Sequence, residues 1–197
     1  PQDDALLAFL PQEHPDVRMF YEVNRRFGGL ATTLVGVATP DPLDPDFLRR
    51  LQAVTKRLNQ TDGVAYAMSL ANVDDFSTDA ERGGITTGYL IPSEPPAGAA
   101  ERAALREKVM SRPNVVGNLI SEDGRAVLIY GFPAYGTDAK AVSARVRAVV
   151  DEGFPSAAKY WGGTPFISGY IYDVSQRDIR KLAPWATLVI LVITYLA

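Results

Sequence analysis

The last sixteen residues, 182–197, contain no charged side chain, and this run constrains the chain more than any other feature of it. A bilayer core of about 30 Å takes about 20 apolar residues as helix, so the run falls slightly short of a full crossing. It also lacks the cap, Gly or polar stop that ends a soluble helix. The expectation is a water-facing domain tethered to a membrane. The first residue is Pro1, and nothing ahead of Asp3 resembles a leader, so both ends read as cut points within a longer protein.

Composition sets the size of the water-facing part. The chain has 197 residues, 47% of them hydrophobic and 22% charged, enough for one globular domain of about 180 residues ahead of the tail. A formal net charge of -3 supplies no basic field for nucleic-acid phosphates, and no nucleic acid is expected as partner. Without cysteine there is no disulfide framework, thiolate metal site or Cys nucleophile, and the redox compartment stays open.

Along the chain, the short apolar stretch at 5–10 ends at Pro11. Pro15 suits a first helical turn, and Val17, Phe20, Tyr21, Asn24 and Phe27 follow at helical spacing until Gly28 and Gly29. Residues 30–39 are rich in β-branched side chains and read as a first core strand. Asp44 caps a helix with Pro45 at its first position and Phe47, Leu51, Val54 and Leu58 as its stripe. Asp62 and Gly63 turn the chain into a second strand, 64–70, parallel to the first in a βαβ unit. Residues 72–84 read as a polar, acidic exposed loop, and 85–91 as a weaker segment of extended character. After the turn at 92–98, residues 99–111 are helical. Residues 115–120 and 126–132 flank Ser121-Glu122-Asp123-Gly124, an Asp-Gly hairpin signal. Thr137 is read as the cap of a helix carrying Val142, Val146, Val149 and Val150, and 159–161 as a last strand. The order βαβ, hairpin, αβ predicts an α+β fold of ferredoxin-like type, an antiparallel sheet with helices on one face. From Pro165 a helix of about 50 Å runs into the apolar tail, kinked if Pro184 breaks it.

Several pieces of the sequence recur together. They are Asp4 with Phe9-Leu10-Pro11, then Phe27-Gly28; the Asp44-Pro45 helix leading to Gly63-Val64; Ile120-Ser121-Glu122-Asp123-Gly124; and Trp161-Gly162-Gly163-Thr164-Pro165 ahead of a helix entering a span. In this order, with the apolar run last, they resemble the first periplasmic loop of RND-superfamily exporters. The branch is that of the mycobacterial membrane protein large transporters and hopanoid exporters. The resemblance covers nearly the whole chain. It implies an N-terminal helical segment, 1–28, after a first transmembrane helix, a porter-like α/β domain at 29–163, a connecting helix at 164–181 and the start of a second transmembrane helix at 182–197. It further implies a multi-pass protein of the bacterial inner membrane, driven by protons and carrying lipids or other hydrophobic cargo. Its partners would be the bilayer, its own remaining spans and second periplasmic domain and, left open, further copies of itself. The family's proton-carrying acids lie in later helices, so none is placed here.

The candidate chemistry is sparse. Gly162-Gly163-Thr164-Pro165 sits between strand and helix like a phosphate cradle but lacks the Walker lysine, and Thr164 as cap with Pro165 following explains it. His14 is the single histidine, too few for a common zinc site, and its place before Pro15 suits a solvated or capping role. Asp74, Asp75 and Asp79 have carboxylates at calcium-like spacing without the EF-hand Gly and Glu, and read as a solvated loop. Asp173 and Asp178 fall on different helix faces and make no acid-base pair. Phe166, Tyr170 and Tyr172 are candidates to touch a lipid-like substrate, with packing the simpler role and Trp185 the interfacial anchor. No catalytic residue, cofactor or metal ligand is assigned, and a porter domain rather than an enzyme is expected. An extracytoplasmic ligand-sensing domain of a membrane-anchored receptor is the alternative. Arg177, Arg180 and Lys181 stand against the periplasmic orientation, because the positive-inside rule would put that flank in the cytoplasm.

Overall fold

The computed structural model describes residues 11–27, 32–79 and 84–196. The apolar stretch at 5–10, the Gly28-Gly29 helix stop and Asp4 lie outside them. Helix α1 (Pro15–Phe27) begins where Pro15 predicts. Strand β1 (Thr33–Ala38) alternates buried and half-buried residues along its whole length, the mark of a strand with one face on a core.

Helix α2 (Pro45–Asn59) is capped as expected: the Asp44 carboxylate accepts from the backbone N–H groups of Asp46 and Phe47. Of the expected stripe Leu51, Val54 and Leu58 are buried, while Phe47 is half-buried and Leu48 takes the fourth core position, each buried side chain contributing about 2 kcal/mol. Gly63, at φ 82°, makes the tight turn that a side chain would strain. Strand β2 (Val64–Met68) follows. Asn59 holds it to α2, its side-chain amide donating to the Ala67 carbonyl and accepting from the Ala67 N–H. This satisfies an edge strand whose register shifts between Val64 and Tyr66.

Strand β5 (Ala126–Pro133), helix α4 (Ala139–Gly153), strand β6 (Lys159–Gly162) and helix α5 (Thr164–Leu196) complete the main framework. The sheet is wholly antiparallel in the order β2-β5-β1-β6. β1 and β2 therefore run parallel, as the βαβ reading requires, but β5 lies between them. The buried residues of β1 and β5, among them Val35, Val37, Val127 and Ile129, share one core with the stripes of α2 and α4.

Three expectations are corrected. The segment 72–84, expected as an acidic loop, instead contains strand β3 (Asp74–Asp79), paired with β4 (Gly84–Tyr89) in a separate two-stranded ribbon, with 80–83 outside the described residues; the extended reading of 85–91 holds for 85–89. The hairpin at Ser121–Gly124 shrinks to a tight turn with a single antiparallel bridge, Ile120 to Val127. The reason is competition for one edge: β2 already pairs with β5 from Tyr130 to Pro133, so residues 119–120 take only what remains beside Val127 and Leu128. Lastly, Asp138 rather than Thr137 caps α4, accepting from Lys140 and Ala141 N–H, while the Thr137 hydroxyl donates to the Ala134 carbonyl. Helix α3 (Ala99–Met110) lies between the ribbon and β5 in sequence and buries Leu105 and Val109.

Candidate functional site

Two features stand out: the sheet face turned away from α2 and α4, and the joint at which α5 leaves the sheet. Strand alternation decides the first. With Val35, Val37, Val127 and Ile129 committed to the core, Leu34 and Gly36 of β1 and Leu128, Tyr130 and Phe132 of β5 point to the opposite side. Register then brings Tyr160 beside Gly36, Leu34 beside Tyr130, Met68 beside Tyr130 and Tyr66 beside Phe132. Tyr66, Phe132 and Tyr130 form a ladder, with ring centroids 6.2 and 6.3 Å apart. None of these residues is charged; Tyr160 and Tyr66 are 67% and 44% exposed and the others half-buried, so the face is apolar, aromatic and partly open to water. Burial, aided by Asp74 and Tyr89, raises the Tyr66 hydroxyl above its ordinary pKa and keeps it neutral.

At the joint, β6 ends at Gly162 and α5 begins at Thr164. Gly163 alone separates them, at φ +89°, and a Cβ there would collide with the Thr32 carbonyl oxygen. The Gly163 carbonyl accepts from Ile167 N–H, so the helix starts one residue earlier than expected: Thr164 is its first residue rather than its cap, and backbone geometry at Gly163 sets the entry. Phe166 is buried against Trp161, centroids 5.2 Å apart, and the Arg147 guanidinium of α4 lies 4.6 Å from the Trp161 ring and 5.6 Å from Phe166. This stack ties α4, β6 and α5 together. Beside it is a cleft of about 330 Å³ between α4 and α5, where Tyr170 and Lys140 meet Arg147 and Phe166.

The other sequence candidates disperse. His14 accepts from Asp16 N–H at 3.3 Å and serves the start of α1. Asp75, expected to be solvated, is buried and ion-paired to Lys108 and Arg112. The Lys108 hydrogen bond, with help from Arg112, holds its carboxyl below the usual aspartate range against the opposing effect of burial. It therefore ties the ribbon to α3 and the turn after it, and is not available to a cation. Among the described residues no group of three or more His, Asp or Glu side chains is placed to hold a metal ion. The side chains of Asp79, Tyr172 and Asp173 lie outside the described set. Of the aromatic trio, Phe166 is committed to packing whereas Tyr170 is 72% exposed. The open face and Arg147 escaped the sequence reading, although the alternation at 126–133 carried the signal for the face.

No family model matches the sequence, and no curated protein matches it. What fold and geometry define is a class: a mixed α+β domain whose four-stranded antiparallel sheet is continued by a helix long and apolar enough to cross a membrane.

Proposed function

We propose that this chain is the periplasmic porter domain of a proton-driven, RND-type exporter of lipids or other hydrophobic compounds. The observation that carries the reading is the joint. A central sheet passes through one glycine into a 33-residue helix, so displacement of the sheet levers a rod of about 50 Å whose far half suits a bilayer. Strand order β2-β5-β1-β6, with α2 and α4 as the two connections, is the arrangement expected of a ferredoxin-like unit carrying β3, β4 and α3 as an insertion. That also supports the reading. Cargo would pass along the uncharged sheet face, in a cleft shared with a second such domain, and the domain performs no bond chemistry.

The test uses the full-length protein in proteoliposomes. An imposed proton gradient is expected to drive export of a lipid-like fluorophore, and Tyr160→Lys on the open face to reduce it severalfold. Transport indifferent to the gradient would overturn the proton-driven reading, and a full-length protein with a single span and a cytoplasmic signalling domain would replace it with the sensor alternative.

A further inference from the structure

We propose that Arg177, Arg180 and Lys181 form a one-sided cationic collar on α5 that binds the phosphates of anionic phospholipids at the bilayer surface. It rests on the reading of α5 as entering a bilayer. Positions i, i+3 and i+4 place the three side chains within about 100° of helix circumference, one above another. All three are exposed, and none is in an ion pair among the described residues.

Position along the helix fixes what the cations meet. The uncharged run starts at Leu182, directly after Lys181. Trp185, four residues beyond Lys181 and 69% exposed, sits where an indole favours the headgroup boundary. The long stems of Arg and Lys then lie along apolar surface while their charges reach phosphate level. Net charge points the same way. The chain carries -3 overall and as a body is repelled by an anionic surface, so a preference for such lipids has to arise locally. Asp178, at the flank of the arc, is the one acidic residue between Arg177 and Lys181 and weakens the collar without dividing it.

The chain, reconstituted in phosphatidylcholine bilayers with a trace of spin-labelled phosphatidylglycerol or phosphatidylcholine, tests this through the motionally restricted lipid at the protein boundary. Phosphatidylglycerol is expected to associate more strongly, by up to about fivefold per engaged cation at low salt, with the preference shrinking as salt is added. The R177Q/R180Q/K181Q variant is expected to show no preference, and D178K a larger one than the parent. Equal association of the two lipids with the parent chain, or a preference that survives the triple substitution, overturns the collar and leaves the bilayer reading standing. No restricted lipid of either kind overturns both.

Discussion

Gly163 meets two requirements at one position, a positive φ and a backbone approach to Thr32 that leaves no room for a Cβ. Gly163→Ala is therefore expected to cost about 2–4 kcal/mol, well above the usual penalty for an exposed substitution, read as a fall in the urea midpoint. Asp75 differs in kind, because its effect depends on pH. Its folded pKa is lowered, so its stabilisation is fully present above the unfolded aspartate value of about 3.9 and is lost as pH falls through the lower folded value. Lys108 and Arg112 are 44% and 37% exposed and regain water when the charge is removed, which holds the cost of Asp75→Asn to about 1–2 kcal/mol at neutral pH. The gap in urea midpoint between parent and variant should be constant above about pH 5 and close on acidification. A gap that widened in acid would contradict the ion-pair assignment.

At the scale of elements, the capped helices and the joint respond differently. Asp44→Ala removes a carboxylate that serves two backbone donors and should lower stability by about 1 kcal/mol without altering the sheet, as measured by chemical denaturation. Trp161→Ala acts at the joint. Its ring is half-buried between Phe166 and Arg147, so truncation should cost about 2–3 kcal/mol and speed amide hydrogen exchange at the start of α5 ahead of α2. The start and most of the stripe of α2 were legible because capping and burial periodicity are local: Asp44, Pro45 and the α2 leucines lie within a few turns of each other, whereas the starts of α4 and α5 were each misplaced by one residue. The β3–β4 ribbon was not, because its polar sequence reads as loop and its anchor, Asp75 on Lys108 and Arg112, joins residues more than thirty positions apart.

For the molecule as a whole, the open face makes a prediction that separates folding from function. Tyr160 lies on the sheet but is mostly exposed, so Tyr160→Lys should move stability by no more than about 0.5 kcal/mol while impairing transport in the full-length protein. A loss of stability matching the loss of transport would mean that the face is packed rather than used. The candidate site was only partly legible at this scale. The Trp161-to-Pro165 segment marked the joint, but the aromatic ladder required β2, β5, β1 and β6 to be set side by side.

Sequence alone determined the apolar end of α5, the Asp44 cap and most of the stripe of α2, the presence of α3, the Gly63 turn and the mixed α+β class, since each follows from the order of neighbouring residues acting through solvent and backbone geometry. Only tertiary structure decided that β5 runs between β1 and β2, which reduced the Asp123-Gly124 hairpin to a bridge. It also gathered Tyr66, Phe132, Tyr130 and Tyr160 on one face, buried Asp75 and placed Arg147 over Trp161. Those outcomes depend on which strand captures an edge first in energy, a choice among distant partners that local periodicity does not encode.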